Sequence, residues 1–235
     1  MEGCKLYDRI IDKRNIYAAI YGMESYVFDK GLLDTKEPVM AYDPAIDSDE
    51  QIAKNDLELY YLLADKYNIP LLETVLYACQ QKLNEILSDP EKLFKTRVYF
   101  KLKNYENGKL SFRPLHTARL IDMICMVCIL NGLMFDDDYA SGSRKISDLA
   151  KLIPHNFYGN IPSTNVQYLF HRWQNKYKEY SDNVIDHCRK YQQNHAYLSE
   201  VCLDIKNFFP SISPEWLYSY IIKKIRNTYP LAELI

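Results

Sequence analysis

The sequence predicts a helix-rich α+β fold, and three observations carry that prediction. Apolar residues recur at spacings of three and four along most of the 235-residue chain. Only 7 Gly and 10 Pro stand against 21 Tyr, which argues against a loop-rich all-β protein. A period-two alternation is concentrated in one stretch, 98–113. With 48% hydrophobic residues the chain can bury a real core. Its net charge of −2 gives no general attraction for phosphate, so any nucleic-acid contact must come from local basic patches.

Taken in order, Ile16, Ala19, Ile20, Met23, Tyr26 and Val27 predict an amphipathic helix over 15–33, with Asn15 as its N-cap. A polar, Asp-rich loop over 35–49 precedes two further helices, 49–67 and 70–87. Pro70 sits in the first turn of the second, and Ser88-Asp89-Pro90 closes it. Val98, Phe100 and Leu102 then alternate with Tyr99, Lys101 and Lys103. A second run starts at Leu110, and Asn107-Gly108 between the two is the strongest short-range hairpin signal. Pro114 is expected to end the return strand, and 117–133 reads as a buried helix followed by a polar loop at 136–138. Ser163 is placed to cap a long helix to Gln193. In it Tyr168, Phe170, Trp173, Tyr177 and Tyr180 interleave with Arg172, Lys176 and Lys178, as an aromatic core stripe beside a solvated basic face or, alternatively, as a nucleic-acid stacking surface. A strand over 196–203 ends at Asp204, and Ser213-Pro214-Glu215 opens a last helix.

No signal-peptide stretch opens the chain, and its longest apolar run, 123–135, is too short and too broken by Asn131 and Gly132 to span a bilayer. A cytoplasmic protein without membrane contact is therefore expected. The six cysteines, Cys4, Cys79, Cys125, Cys128, Cys188 and Cys202, are then expected to be reduced. Cys125 and Cys128 form a CxxC within an apolar helical stretch and read as core rather than as a zinc or redox pair.

The segment Tyr197-Leu-Ser-Glu-Val-Cys-Leu-Asp-Ile-Lys-Asn-Phe-Phe-Pro-Ser-Ile212 delivers one carboxylate to the end of a strand, followed at once by a polar turn and two Phe. It resembles motif A of reverse transcriptases, whose D-I-x-x-F-F-x-S-I pattern is met by Asp204, Ile205, Phe208, Phe209, Ser211 and Ile212. Phe112 to Leu130 resembles the fingers motif of reverse transcriptases related to group II intron enzymes. Arg113, Pro114, Leu115, Asp122 and Ile124 match, whereas His116-Thr117 and Met123 depart from the pattern. Phe157 to Trp173 is similar to the segment preceding motif A in bacterial unknown-group and abortive-infection reverse transcriptases, with Ile161 where Arg is usual. Together these resemblances cover roughly 97–222 and point to the N-terminal portion of these defence-associated enzymes, with the first hundred residues placed by analogy alone.

The resemblance implies the fingers and partial palm of a right-hand polymerase with a helical N-terminal extension. The extension would span 1–92, the fingers 93–195 with their hairpin at 97–114, and the start of the palm 196–235. It implies two-metal nucleotidyl transfer with Mg2+, or Mn2+ as the alternative ion. Asp204 is then the catalytic carboxylate and metal ligand, and the Ile205 carbonyl a second ligand. The backbone of Lys206, Asn207, Phe208 and Phe209 lines the triphosphate site, and Phe209 rejects a 2′-hydroxyl. Arg113, assisted by Lys101 or Lys103, is the basic group on the hairpin that reaches the triphosphate. An ideal two-residue turn would put Arg113 on the face of Leu102 and both lysines on the other.

The implied partners are an RNA template, a DNA product and deoxynucleoside triphosphates, with an accessory protein, a non-coding RNA or a second copy as further candidates in phage defence. Phe135-Asp136-Asp137-Asp138 has the form of motif C but precedes motif A, and reads as a surface acidic loop. Motif C is expected after motif A, and the sequence to Ile235 holds none there, so this chain alone is expected to be inactive. The alternative reading is a non-catalytic polymerase-like module that binds RNA or a partner protein.

Overall fold

The structure, a computed structural model, describes residues 6–30, 68–89, 94, 96–136, 144–154, 157–165, 168–194 and 212–228. The helix expected over 49–67 and the strand over 196–203 lie outside them. The described residues form a helix-rich α+β arrangement. Its elements are α1 (Leu6–Ile11), α2 (Lys13–Lys30), α3 (Ile69–Ser88), an antiparallel hairpin of β1 (Thr96–Glu106) and β2 (Lys109–Ala118), α4 (Leu120–Met134), a 3-10 turn (Ala150–Leu152), α5 (Trp173–Gln193) and α6 (Pro214–Thr228).

The core lies where α1, α2 and α3 meet α4. Ile16, Ala19, Ile20 and Met23 of α2, the residues that set its predicted periodicity, are buried there with Leu72, Val75, Leu76, Cys79 and Leu83 of α3. Helix α4 supplies Leu120, Ile124, Cys125, Val127 and Cys128. It is apolar around most of its circumference because it is packed from several sides. Gly132 packs against α1 with no room to spare: a Cβ there would lie 2.5 Å from Ile10 Cγ1. Among the described residues no helix is long and apolar enough to cross a membrane.

Two polar residues show where the sequence reading needs correction. Asn15 does not cap α2. It is fully buried inside the helix, and its Nδ2 donates to the carbonyls of Ile10 and Cys128, both at 3.0 Å, tying α1 and α2 to α4. The cap is Asp12, whose Oδ1 accepts the Arg14 backbone N–H at 2.7 Å. The Arg14 side chain also bonds this carboxylate and holds its pKa below the usual value, against the opposing effect of burial.

Ser163 likewise does not open a long helix. Its hydroxyl accepts the Asn165 N–H at 3.1 Å, making a local turn, and Ser163 N–H donates to Leu169 O at 3.2 Å. Pro162 and Phe170 form an antiparallel bridge, so the described residues of this stretch are not helical, and α5 begins only at Trp173. Tyr168 and Phe170 therefore lie outside the helix, and Arg172 sits over the Tyr168 ring at 5.7 Å. Ser213 does cap its helix as expected, accepting the Trp216 N–H at 3.2 Å.

Candidate nucleotide-binding site

The hairpin is the described part of the predicted site. Asn107 and Gly108 have φ of 52° and 76°, the pair of left-handed residues that a tight hairpin turn of matching twist requires. From the turn the strands pair Glu106 with Lys109, Tyr105 with Leu110, and Asn104 with Ser111. There the ideal register breaks. Leu102 pairs with Phe112, so Lys103 is an extra residue, a β-bulge, with no partner of its own in the ladder. The polar contact between Ser111 Oγ and Asn104 Oδ1 pins the ladder on the turn side of the bulge.

One consequence decides the site. Lys101 stands directly opposite Arg113. The ideal register would have set these two on opposite faces. The bulge moves Arg113 from opposite Leu102 to opposite Lys101, so the cations share a face. Lys109, two residues beyond Ser111 on the turn side, falls on that face too, because side chains of β2 alternate. The alternation of Lys109, Ser111 and Arg113 was visible in the sequence, although Lys109 was not singled out. Lys103 does not belong to this opposed pair.

The other face carries Val98, Phe100, Leu102, Tyr105, Leu110 and Phe112, all substantially exposed. Pro114 does not end β2: it lies within the strand opposite Phe100, and the strand runs on to Ala118. In a two-stranded sheet both strands are edges, so the missing N–H of a proline need interrupt no ladder bond. The longer strand also delays the start of α4 from the expected 117 to Leu120.

Two cations facing each other across a hairpin repel by a few tenths of a kcal/mol or more. An anion bound between them reverses the sign of that interaction, and the guanidinium offers a planar fork suited to phosphate oxygens. The geometry thus suits a phosphate-bearing ligand. Asp204, Ile205, Lys206, Asn207, Phe208 and Phe209 lie outside the described residues, so the distance from the hairpin to the predicted metal-binding carboxylate is not part of this geometry.

The remaining motif residues serve structure. Asp122 is buried on α4 with Lys82 Nζ 3.9 Å away. Asp136 pairs with the Arg9 guanidinium, and its N–H donates to Lys145 O at 2.8 Å. Phe135 beside it is buried, bridges to Ile146 and lies under the Arg144 guanidinium at 4.2 Å. Asp137 and Asp138 lie outside the described residues. Tyr158 packs edge-on against Tyr180 at 5.6 Å, and its hydroxyl oxygen accepts from Asn183 Nδ2 at 2.7 Å, which anchors the segment around Phe157 to α5. Cys125 and Cys128 are fully buried core residues. The Cys125 thiol points to Cys79 O at 3.7 Å; contact with Cys79 and then burial push its pKa up, and burial does the same for Cys128. Thiols held protonated in this way are poor nucleophiles and poor metal ligands.

No protein-family model matches the chain, and no curated protein or solved structure does either.

Proposed function

We propose that this chain is the fingers and first palm portion of an RNA-directed DNA polymerase of the bacterial defence-associated type, which transfers deoxynucleotides by two-metal chemistry in response to phage. The observation that carries the reading is the bulge at Lys103, which sets Lys101 opposite Arg113 on a projecting hairpin, as a clamp for a triphosphate needs. The resemblance of the segment around Asp204 to motif A supplies the chemistry that such a clamp would serve.

In this reading the hairpin cations hold the triphosphate and offset charge that builds on its oxygens during transfer. The carboxylate of Asp204 and the carbonyl of Ile205 are hard oxygen donors, the ligand chemistry that Mg2+ or Mn2+ takes. Such ions supply Lewis-acid activation of the attacking and leaving oxygens. The backbone from Lys206 to Phe209 lines the nucleotide site, and the Phe209 ring excludes a ribose 2′-hydroxyl sterically.

Sugar selectivity tests this assignment. The protein purified from its native host is expected to prefer deoxynucleoside over ribonucleoside triphosphates, and Phe209→Ala is expected to erase most of that preference while leaving deoxynucleotide incorporation in place. Binding of RNA with no nucleotide transfer by either protein would replace this reading with that of a non-catalytic module.

A further inference from the structure

Helix α6 carries a surface that the polymerase reading does not use. Trp216, Tyr220 and Lys224 are spaced by four and form a single ladder. The indole and phenol rings stack almost parallel, with centroids 5.5 Å apart and an interplanar angle of 14°. Lys224 Nζ lies 5.5 Å from the Tyr220 ring centroid, closing the ladder with a cation. Trp216 is 62% exposed and Tyr220 49%, so flat π-surface faces solvent.

Ile225, one position round from Lys224 and off the ladder, is the described α6 side chain that reaches the core cluster. Leu217 and Ile221, which precede it at the same spacing of four, are themselves 40% and 41% exposed. Charge on the helix is one-sided as well. Glu215 is its single acidic residue, held at the N-terminal end by the Ser213 hydroxyl, whereas Lys223 and Lys224 lie at the other end. Lysines in a last turn also answer the helix dipole, so their charge alone names no ligand. Joined to an exposed, coplanar ring stack, it does. A ligand that matches both must carry a flat ring and a negative charge beside it.

We propose that the Trp216–Tyr220–Lys224 face of α6 is a stacking platform for single-stranded nucleic acid, with a base on the open indole face and a backbone phosphate at Lys223 and Lys224. Double-stranded helices keep their base faces covered, so the platform takes unpaired strands. The inference rests on the reading that this chain handles nucleic acid, and adds a strand-holding site apart from the nucleotide clamp.

The chain contains two tryptophans, Trp173 and Trp216, so Trp173→Phe leaves Trp216 as the sole indole reporter. That protein is titrated at low salt with oligothymidylate carrying a fluorescent end label, with Trp216 emission and label anisotropy read together. The expected result is quenching of Trp216 in step with binding. Tyr220→Ala removes the ring that backs the indole rather than a stacked base, and should weaken binding by roughly two- to tenfold, the range that loss of one aromatic pair implies. Tyr220→Phe should retain it, and Lys224→Ala should flatten the salt dependence by about one phosphate contact.

Binding without quenching, no binding, or a shift in Trp216 emission that follows protein concentration without oligonucleotide would each overturn the proposal; the last would mean that a second copy covers the face. For the protein from its native host, stacking without nucleotide incorporation would sink the polymerase reading alone, and incorporation without stacking would sink only this inference.

Discussion

Lys101 and Arg113 face each other across the hairpin because Lys103 is an extra residue in β1, and this pairing makes one basic face out of positions that an ideal hairpin would divide. The polymerase proposal and two of the predictions below depend on it.

Removing Lys103 should preserve the pairing. The deletion joins Leu102 to Asn104, so Leu102 still meets Phe112 and Lys101 still meets Arg113. Binding of a deoxynucleoside triphosphate, followed by fluorescence with a labelled analogue, is expected to stay within a few-fold of the parent in the deletion and in Lys103→Ala. Lys101→Ala and Arg113→Ala should each weaken it by roughly ten- to a hundredfold, as loss of a charge-assisted hydrogen bond implies. Equal losses in Lys101→Ala and Lys103→Ala would mean that the bulge does not sort the lysines.

The buried Asn15 and Asn131 should behave in opposite ways. Asn15 donates to two carbonyls; Cys128 O keeps its bond within the helix, so Asn15→Leu leaves the Ile10 carbonyl short of a donor and should cost about 1–3 kcal/mol in denaturant unfolding. Neither amide atom of Asn131 has a hydrogen-bond partner among the described residues. Asn131→Leu, of similar volume, removes an unsatisfied polar group and should be neutral or stabilising by about 1 kcal/mol. A large loss in Asn131→Leu would show that its amide is satisfied in solution.

Gly132→Ala sets helix propensity against packing. Alanine gains about 1 kcal/mol in a helix interior, whereas overpacking a tight site costs about 1–3 kcal/mol. The buried Ile10 side chain stands 2.5 Å from the new Cβ, so packing should win. A net loss near 1 kcal/mol corresponds to a melting temperature lower by about 2–4 °C for a chain of this size. An unchanged or higher melting temperature would show that α1 moves aside at little cost.

The buried thiols predict a one-sided pH dependence. Cys128 and Cys125 have folded-state values raised above the ordinary 9.0, so the unfolded chain loses these protons first as pH rises. Their contribution to stability is complete below about pH 9 and falls as pH climbs above it. Replacing both by Ala or Val should flatten the alkaline limb of the stability curve. In the native protein, alkylation at about pH 8.5 should label the half-buried Cys188 and spare Cys79, Cys125 and Cys128.

Legibility from sequence tracked how local each signal was. The Asn107-Gly108 turn, the Pro70 helix start and the Ser213 cap each depend on a few adjacent residues, and each stands where it was expected. The apolar surroundings of Cys125 and Cys128 were enough to place them in the core. Asn15 was misread because its partners are the carbonyls of Ile10 and Cys128, the second of them 113 residues away, while the true cap, Asp12, lay three positions earlier. Ser163 makes a turn because its hydroxyl reaches Asn165, a choice that Ser-Thr-Asn permits as readily as a helix start. The bulge at Lys103 has no local mark at all: nothing in Leu102-Lys103-Asn104 distinguishes an extra residue from a paired one, and the register is fixed by the pairing on either side.

Extension of a DNA primer on an RNA template, by the protein from its native host with deoxynucleotides and Mg2+, is the most direct test of the central proposal. The expected result is metal-dependent extension by the parent, none by Asp204→Ala, and a raised KM for deoxynucleotides in Arg113→Ala. Extension that survives in Asp204→Ala would contradict the assignment of the catalytic carboxylate and, with it, the polymerase reading of this chain.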